Sequence, residues 1–430
     1  MSSIIAIVII NYPLGVSSML ISTIEEFAER GYKVDIFIDQ FEFNYSPIVF
    51  HNKNISIHLL FDSFYGNYKR SANSKLNNSK TSIRSRLFSS ILLLKNLGFY
   101  YLSIPFKSSN WIKELLNIFF PDYANYIKQI LKYKNNNYNY IIGVEPKGAY
   151  AAIMLASKTT KMVSYFNMEL FQFSKSHSRD KYLREVLEKI TIQHKLCNIV
   201  FPNENRRDIF SKINNFPKRK TNILPVAERL AKKTEPSDYL YKILNIDKTK
   251  KIVLYAGNIV EWAMCLEVIQ SMVNWPLNYV LVFHTYVPEI RNDPYFQQLL
   301  KEAKDLPVYF STNPLDISEL SKLISSAFIG LLFYRPKDEN FIEIAMSSNK
   351  LSSYLKCGVP ILYNNNSSLN GLIQKKCGLP IDNFSEISTA LETISKNYNY
   401  FKNNAYELYD AKFNFIYYFN IFYNNTPVKI

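Results

Sequence analysis

Apolar positions in this 430-residue chain fall into short runs separated by stretches of helical periodicity. Residues 4–10 form a continuous apolar run, the pattern of a parallel strand buried on both faces. A loop, Asn11-Tyr12-Pro13-Leu14-Gly15-Val16-Ser17, follows. Leu20, Ile21, Ile24, Phe27 and Ala28 then recur on one face, which predicts an amphipathic helix. Gly31 stands where a left-handed C-terminal cap belongs, and 34–38 is the next strand. The alternation resumes at Tyr140. A strand is predicted over 141–144, a helix opening at Glu145-Pro146 runs to 156, and a strand over 162–166 ends at Asn167-Met168-Glu169. Strands over 199–202 and 222–225 close this series. A second series has strands over 252–256, 279–283, 307–310, 328–333 and 359–362, with helical patterns between them. The last segment, 398–423, is aromatic and helical.

Two strand-helix alternations predict an α/β chain of two doubly wound, Rossmann-like domains facing a central cleft. The first spans 1–228, with an insertion at 68–134. A charged linker covers 229–250, the second domain covers 251–397, and a helix over 398–430 crosses back to the first. Ligands of such folds bind at the carboxyl ends of the strands. That rule puts Gly15, Glu145 and Glu169 on one side of the cleft and Gly257, Asn258, His284, Tyr334 and Arg335 on the other.

Composition narrows the class. Hydrophobic residues make up 47% and charged residues 20%, which excludes a disordered chain, a collagen and a disulfide scaffold. The four cysteines have no CxxC pairing, and the five histidines form no pair at helical ligand spacing, so no metal site is expected. Unpaired cysteines fit a reducing, cytoplasmic setting. The N-terminal apolar run is far shorter than the roughly 20 residues that span a bilayer, and no basic region precedes it as in a signal peptide. The formal charge is +15. Twelve Lys and Arg between 68 and 134 face only Glu114 and Asp122, so this stretch holds +10 of it. Leu87, Phe88, Phe99, Tyr100 and Trp111 lie among those basic residues. The mixture suits contact with an anionic membrane surface; a lysine-rich surface over a buried helix pair is the competing reading. No nucleic-acid-binding motif accompanies it.

One motif has a local physical reading. Ser348 is an N-cap, a helix runs through Leu351, Tyr354 and Leu355, Gly358 ends it and Pro360 leads into a strand. Lys350 in the first turn opposes the helix dipole, a placement that becomes favourable when an anion such as a diphosphate lies between them. A capped surface helix with an ordinary lysine is the alternative.

These residues carry a resemblance. The opening strand with Pro13-Leu14-Gly15, the strand ending at Glu169, Ile223-Leu224-Pro225, the turn Ala256-Gly257-Asn258 and the stretch from Ser348 through Asn349 and Lys350 to Gly358-Val359-Pro360 resemble the GT-B glycosyltransferases, in particular the retaining family-four-like group of bacterial polysaccharide assembly. The resemblance implies transfer of a sugar from a nucleotide-diphosphate sugar to a glycan or lipid-linked acceptor of capsule, O-antigen or another surface polysaccharide. It implies no cofactor and no metal, and a peripheral position at the inner face of the cell membrane. It places Gly257, Ser348, Asn349 and Lys350 at the donor and supports Glu169 as the catalytic candidate, the general base if configuration inverts. The family's basic residues after the glycine turn are absent, Asn258 standing there instead, so Tyr334 and Arg335 in the loop after the strand 328–333 are candidate substitutes at the donor, with an exposed charged loop as the alternative. By strand-end position His284 joins the donor side and Gly15 and Glu145 the acceptor side, the alternatives being a structural histidine, a simple turn and compensation of a helix N-terminus. The family's two glutamates, eight positions apart, are replaced here by Ala345 and Ser353. Two alternatives therefore stand: a sugar-nucleotide epimerase of the same fold, and a non-catalytic partner subunit.

Overall fold

The computed structural model describes residues 4–39, 49–60, 116–170, 178–230, 234–374 and 376–427. Most of the basic stretch 68–134 lies outside them. The first domain is a seven-stranded sheet in the order β3-β2-β1-β4-β5-β6-β7, every pair parallel. Its strands are β1 (Ile4–Ile9), β2 (Lys33–Ile38), β3 (Ile55–Leu59), β4 (Tyr140–Val144), β5 (Met162–Phe166), β6 (Cys197–Phe201) and β7 (Thr221–Ile223). The second is a six-stranded parallel sheet, β10-β9-β8-β11-β12-β13. Here β8 is Lys251–Ala256, β9 Tyr279–His284, β10 Val308–Ser311, β11 Ile329–Leu332, β12 Ile361–Asn364 and β13 Gly378–Ile381.

The strand pattern explains the layers. Along β1, Ile5, Ile7 and Ile9 enter one core while Ala6, Val8 and Ile10 enter the other, all at most 1% exposed. Alternate residues of a strand point to opposite faces, so helices cover both sides. In each sheet the strand order reverses once, between β1 and β4 and between β8 and β11. A crevice opens at the carboxyl ends of the strands at such a point. The loop after β1 and the turn after β8 therefore mark the two halves of the candidate site.

The edge strands β3 and β13 escape the sequence pattern. β3, Ile-Ser-Ile-His-Leu, is partly or fully exposed at every position and has no continuous apolar run, and β13 contains Pro380, which an edge strand tolerates. The tail also differs from a single helix. It forms Tyr398–Lys412 and Phe415–Asn424, because Phe413 leaves helical geometry and the Asn414 side chain caps Tyr417. The second of these helices packs on the first domain. Phe27 meets Phe419 and Phe422, Phe422 meets Phe166, and Tyr32 shares a 2.7 Å hydroxyl bond with Tyr423. The stretch between the domains holds a short helix, Tyr239–Ile243, whose Leu240 is fully buried.

Gly358 shows why one helix ends where it does. Its φ is +63°, and the amides of Gly358 and Val359 bond back to Leu355 and Tyr354. This is the paired closure that a left-handed residue allows. A Cβ here would collide with the ring of Tyr406 in the tail.

Candidate active site

The helix Asn349–Lys356 begins at Ser348, whose Oγ accepts from the Leu351 amide at 3.1 Å. Its buried face holds Leu351, Tyr354 and Leu355. Tyr354 anchors it to the second sheet, donating to the Leu254 carbonyl (2.9 Å) and accepting from the Ala256 amide (3.0 Å). The helix start thereby lies beside the Gly257 turn. Gly257 has φ +152°, and a Cβ there would come within 3.2 Å of Lys350 Cε. Only glycine leaves this approach open.

Lys350 reaches into that space. Its Nζ is buried and has no hydrogen-bond partner among the described residues. It lies 3.8 Å from the ring centre of Tyr255 and 5.0 Å from that of Tyr334. Burial lowers its pKa to about 7, while the neighbouring Cys265 thiol is itself pushed up to about 12 and stays neutral. Tyr334 is fixed in turn. It shares a 2.9 Å hydroxyl bond with Ser348, stacks on Trp262, and its amide donates to Asn364.

The other expected donor residues divide. The Asn258 carbonyl accepts from Tyr255 and its side chain accepts from Tyr286 at the mouth of the turn. His284 is buried and paired with Ser311 at 3.0 Å, and burial lowers it to about 4, so the ring is neutral. Its carbonyl accepts from the Gly257 amide, so it shapes the turn. Asn349 reaches across the cleft, where its Oδ1 accepts from the Ser18 hydroxyl at 2.8 Å. The Arg335 side chain pairs with Glu267 on the helix Cys265–Ser271, and its amide donates to Trp262.

On the first domain, Gly15 lies in a short 3₁₀ turn, Leu14–Val16, directly before the helix Ser18–Glu29. Glu145, at the end of β4, is 1% exposed and has the left-handed φ of 59°. Its Oε1 accepts from the amides of Met168 (2.8 Å) and Glu169 (3.1 Å), and its Oε2 is buried without a partner among the described residues. Burial and the nearby Glu169 hold its carboxyl well above the usual range. Glu169 remains half exposed; partial burial raises it, Arg206 opposes that rise, and Asp338 adds to it. Tyr12 completes the group, its phenol pushed up by burial and by both glutamates.

Arg206 joins the halves, and nothing in its sequence context marks it. It sits in the helix Glu204–Asn214 yet is 1% exposed. It donates to the Met168 carbonyl of the first domain and to the Asn340 (3.0 Å) and Glu343 (3.2 Å) carbonyls of the second. Asn340 bonds both backbone groups of Leu170. The acidic loop after β11 is thus committed to domain contact. A separate groove of about 590 Å³ lies between Met346, Ser368, Leu372, Asn404 and Leu408. Lys350 and Glu169 do not line it.

Two facing parallel-sheet domains, with a glycine turn and an unmatched lysine at their strand ends, have the GT-B glycosyltransferase fold. More particularly, residues 311–414 match the glucosyltransferase 3-like C-terminal domain family, a stretch that includes the lysine helix. No curated protein matches the chain in sequence. Among solved structures, sucrose-phosphate synthase from Thermosynechococcus elongatus aligns with a TM-score of 0.65 at 15% identity, covering 98% of both chains. WaaG, a glycosyltransferase of lipopolysaccharide biosynthesis, aligns at 0.60 and 13%, covering 96% of both. Anabaena Alr3699/HepE in complex with UDP aligns at 0.62 and 11%, covering 98% of both.

Proposed function

We propose that this chain transfers a sugar from a nucleotide-diphosphate sugar to a glycan or lipid-linked acceptor in bacterial surface polysaccharide assembly. The observation that carries the reading is Lys350: a buried ammonium group without a partner among the described residues, aimed at a glycine turn beside a helix N-terminus. A buried amino group without a protein partner beside free helix N–H groups suits an anion, and the glycine turn lets one approach the backbone. HepE, of the same fold, has been solved with UDP and with UDP-glucose, and WaaG serves lipopolysaccharide biosynthesis. In this reading Gly257, Asn258, Tyr334, Ser348, Asn349 and Lys350 surround the donor, and His284 holds the turn from behind. Arg335 serves the donor only through the loop it fixes. Glu145 and Gly15 line the acceptor side, and Glu169 takes the acceptor proton.

The protein acts without a resident cofactor, at the inner face of the cell membrane, with 68–134 against anionic lipid. Among the described residues no helix is long and apolar enough to cross a membrane. A thermal-shift and calorimetric screen of nucleotides and nucleotide sugars tests the reading, since a true donor raises the transition by mass action. Lys350→Ala should weaken the bound nucleotide at least tenfold (about 1.4 kcal/mol); an unchanged affinity removes Lys350 from the site. The replacement of both family glutamates by Ala345 and Ser353 favours one second reading, a non-catalytic partner subunit. Sugar transfer by the purified chain would end it.

A further inference from the structure

We propose that anion binding at this site is coupled to uptake of a proton by Lys350, so that the site selects for ligands with enough negative charge to recharge it. The proposal rests on the nucleotide-diphosphate reading and adds how the same site responds to charge and pH.

The geometry comes first. The Lys350 ammonium has no carboxylate, carbonyl or hydroxyl partner among the described residues. Its surroundings come from four elements. Tyr255 of β8 lies beneath it, Tyr334 from the loop after β11 stands beside it, the Gly257 backbone closes one side, and Cys265 opens the neighbouring helix. Ring faces attract a cation, but they replace water poorly and desolvation works against the charge. The result is a lysine at about 7 in the free protein. A diphosphate placed between Lys350 and the helix N-terminus reverses this balance, because an adjacent opposite charge favours the ammonium. The proton then comes from solvent, and the complex is an ion pair.

Among the described residues, the buried groups packed around Lys350 are shifted away from neutrality. The Cys265 thiol and the Tyr334 phenol are pushed up to about 12, Tyr255 and Tyr354 are raised by burial, and His284 is held down at about 4. Glu267 is paired with Arg335. Above about pH 7 a terminal phosphate is itself almost fully ionised, since its second pKa is about 6. A proton taken up between about pH 7 and about pH 8.5 therefore reports Lys350.

The experiment is calorimetry of UDP binding to the full chain in buffers of differing ionisation enthalpy. Uptake of about three-quarters of a proton is expected at about pH 7.5, with affinity about 15-fold weaker at about pH 8.5 than at about pH 7. Lys350→Arg, whose charge is permanent, should bind with no uptake and with flat affinity across that range. Lysine-selective ¹³C NMR of the ligand-free protein, with Lys350→Arg to assign the signal, should show one lysine titrating near neutrality. UDP binding without uptake would overturn this inference and leave the nucleotide reading intact. An ordinary lysine titration in the free protein would overturn it whether or not UDP binds. Failure of UDP and every other nucleoside diphosphate to bind, with Lys350 titrating near neutrality, would overturn the nucleotide reading and the coupling with it.

Discussion

Glu188 isolates one buried proton. Its carboxyl accepts from Tyr165 (2.5 Å) and from Asn167 (3.2 Å), and burial raises it to about 7. The ordinary value is 4.5, so between about pH 4.5 and 7 the folded chain keeps a proton that the unfolded chain has released. Stability therefore falls as pH rises through that window. Glu188→Gln should match the wild type near about pH 5 and exceed it by up to about 3 kcal/mol at about pH 8. Denaturant midpoints at the two pH values check this, and parallel curves would contradict it. Glu169→Gln should lower sugar transfer about 10²-fold or more with UDP affinity unchanged, if Glu169 is the base. Lys350 was legible because a cation in a first helical turn is a visible conflict. Arg206 was not. Within Glu204-Asn205-Arg206-Arg207-Asp208 it reads as one more solvated charge, and only the docking of two domains buries it. The left-handed Glu145 was equally hidden, since Pro146 beside it signals an ordinary helix start.

At the scale of elements, the buried strands were legible and the edges were not. β1 and β5 are dense apolar runs because both faces are covered, whereas β3 and β13 lie at the sheet edges, less completely buried, and lose that signature. The break at Phe413 was also invisible, because aromatic residues continue through it and only the cap by Asn414 marks the turn. The closure of the lysine helix gives a sharper expectation. Gly358→Ala should cost more than about 1 kcal/mol for the left-handed backbone alone, with the Tyr406 collision added. Because the Tyr406 hydroxyl donates to the Thr234 and Cys357 carbonyls, the collision is read against Tyr406→Ala: adding Gly358→Ala to that variant should cost only the backbone part. Thermal unfolding of Gly358→Ala in the wild-type and Tyr406→Ala backgrounds reads the difference; equal losses in the two backgrounds would place the whole effect in the backbone.

Among the described residues, specific hydrogen bonds join the two halves of the molecule. Arg206 and Asn340 bind backbone groups across the cleft, and Asn349 reaches Ser18. Arg206→Ala should open the cleft, seen as a larger radius of gyration by X-ray scattering and faster proteolysis; unchanged scattering would assign closure to the tail instead. The tail adds a second, apolar bond to the first domain. Phe419 is fully buried against Phe27, with Arg30 lying over its ring. Phe419→Ala should cost about 3–5 kcal/mol and lower the transition of the first domain as well as the second. That packing also sets a schedule for biosynthesis. Domains generally fold in order as the chain leaves the ribosome, but here Phe27, Tyr140 and Phe166 await a helix that follows the whole second domain in sequence. The N-terminal domain therefore carries an open hydrophobic seam until the helix Phe415–Asn424 has been made and docks on it.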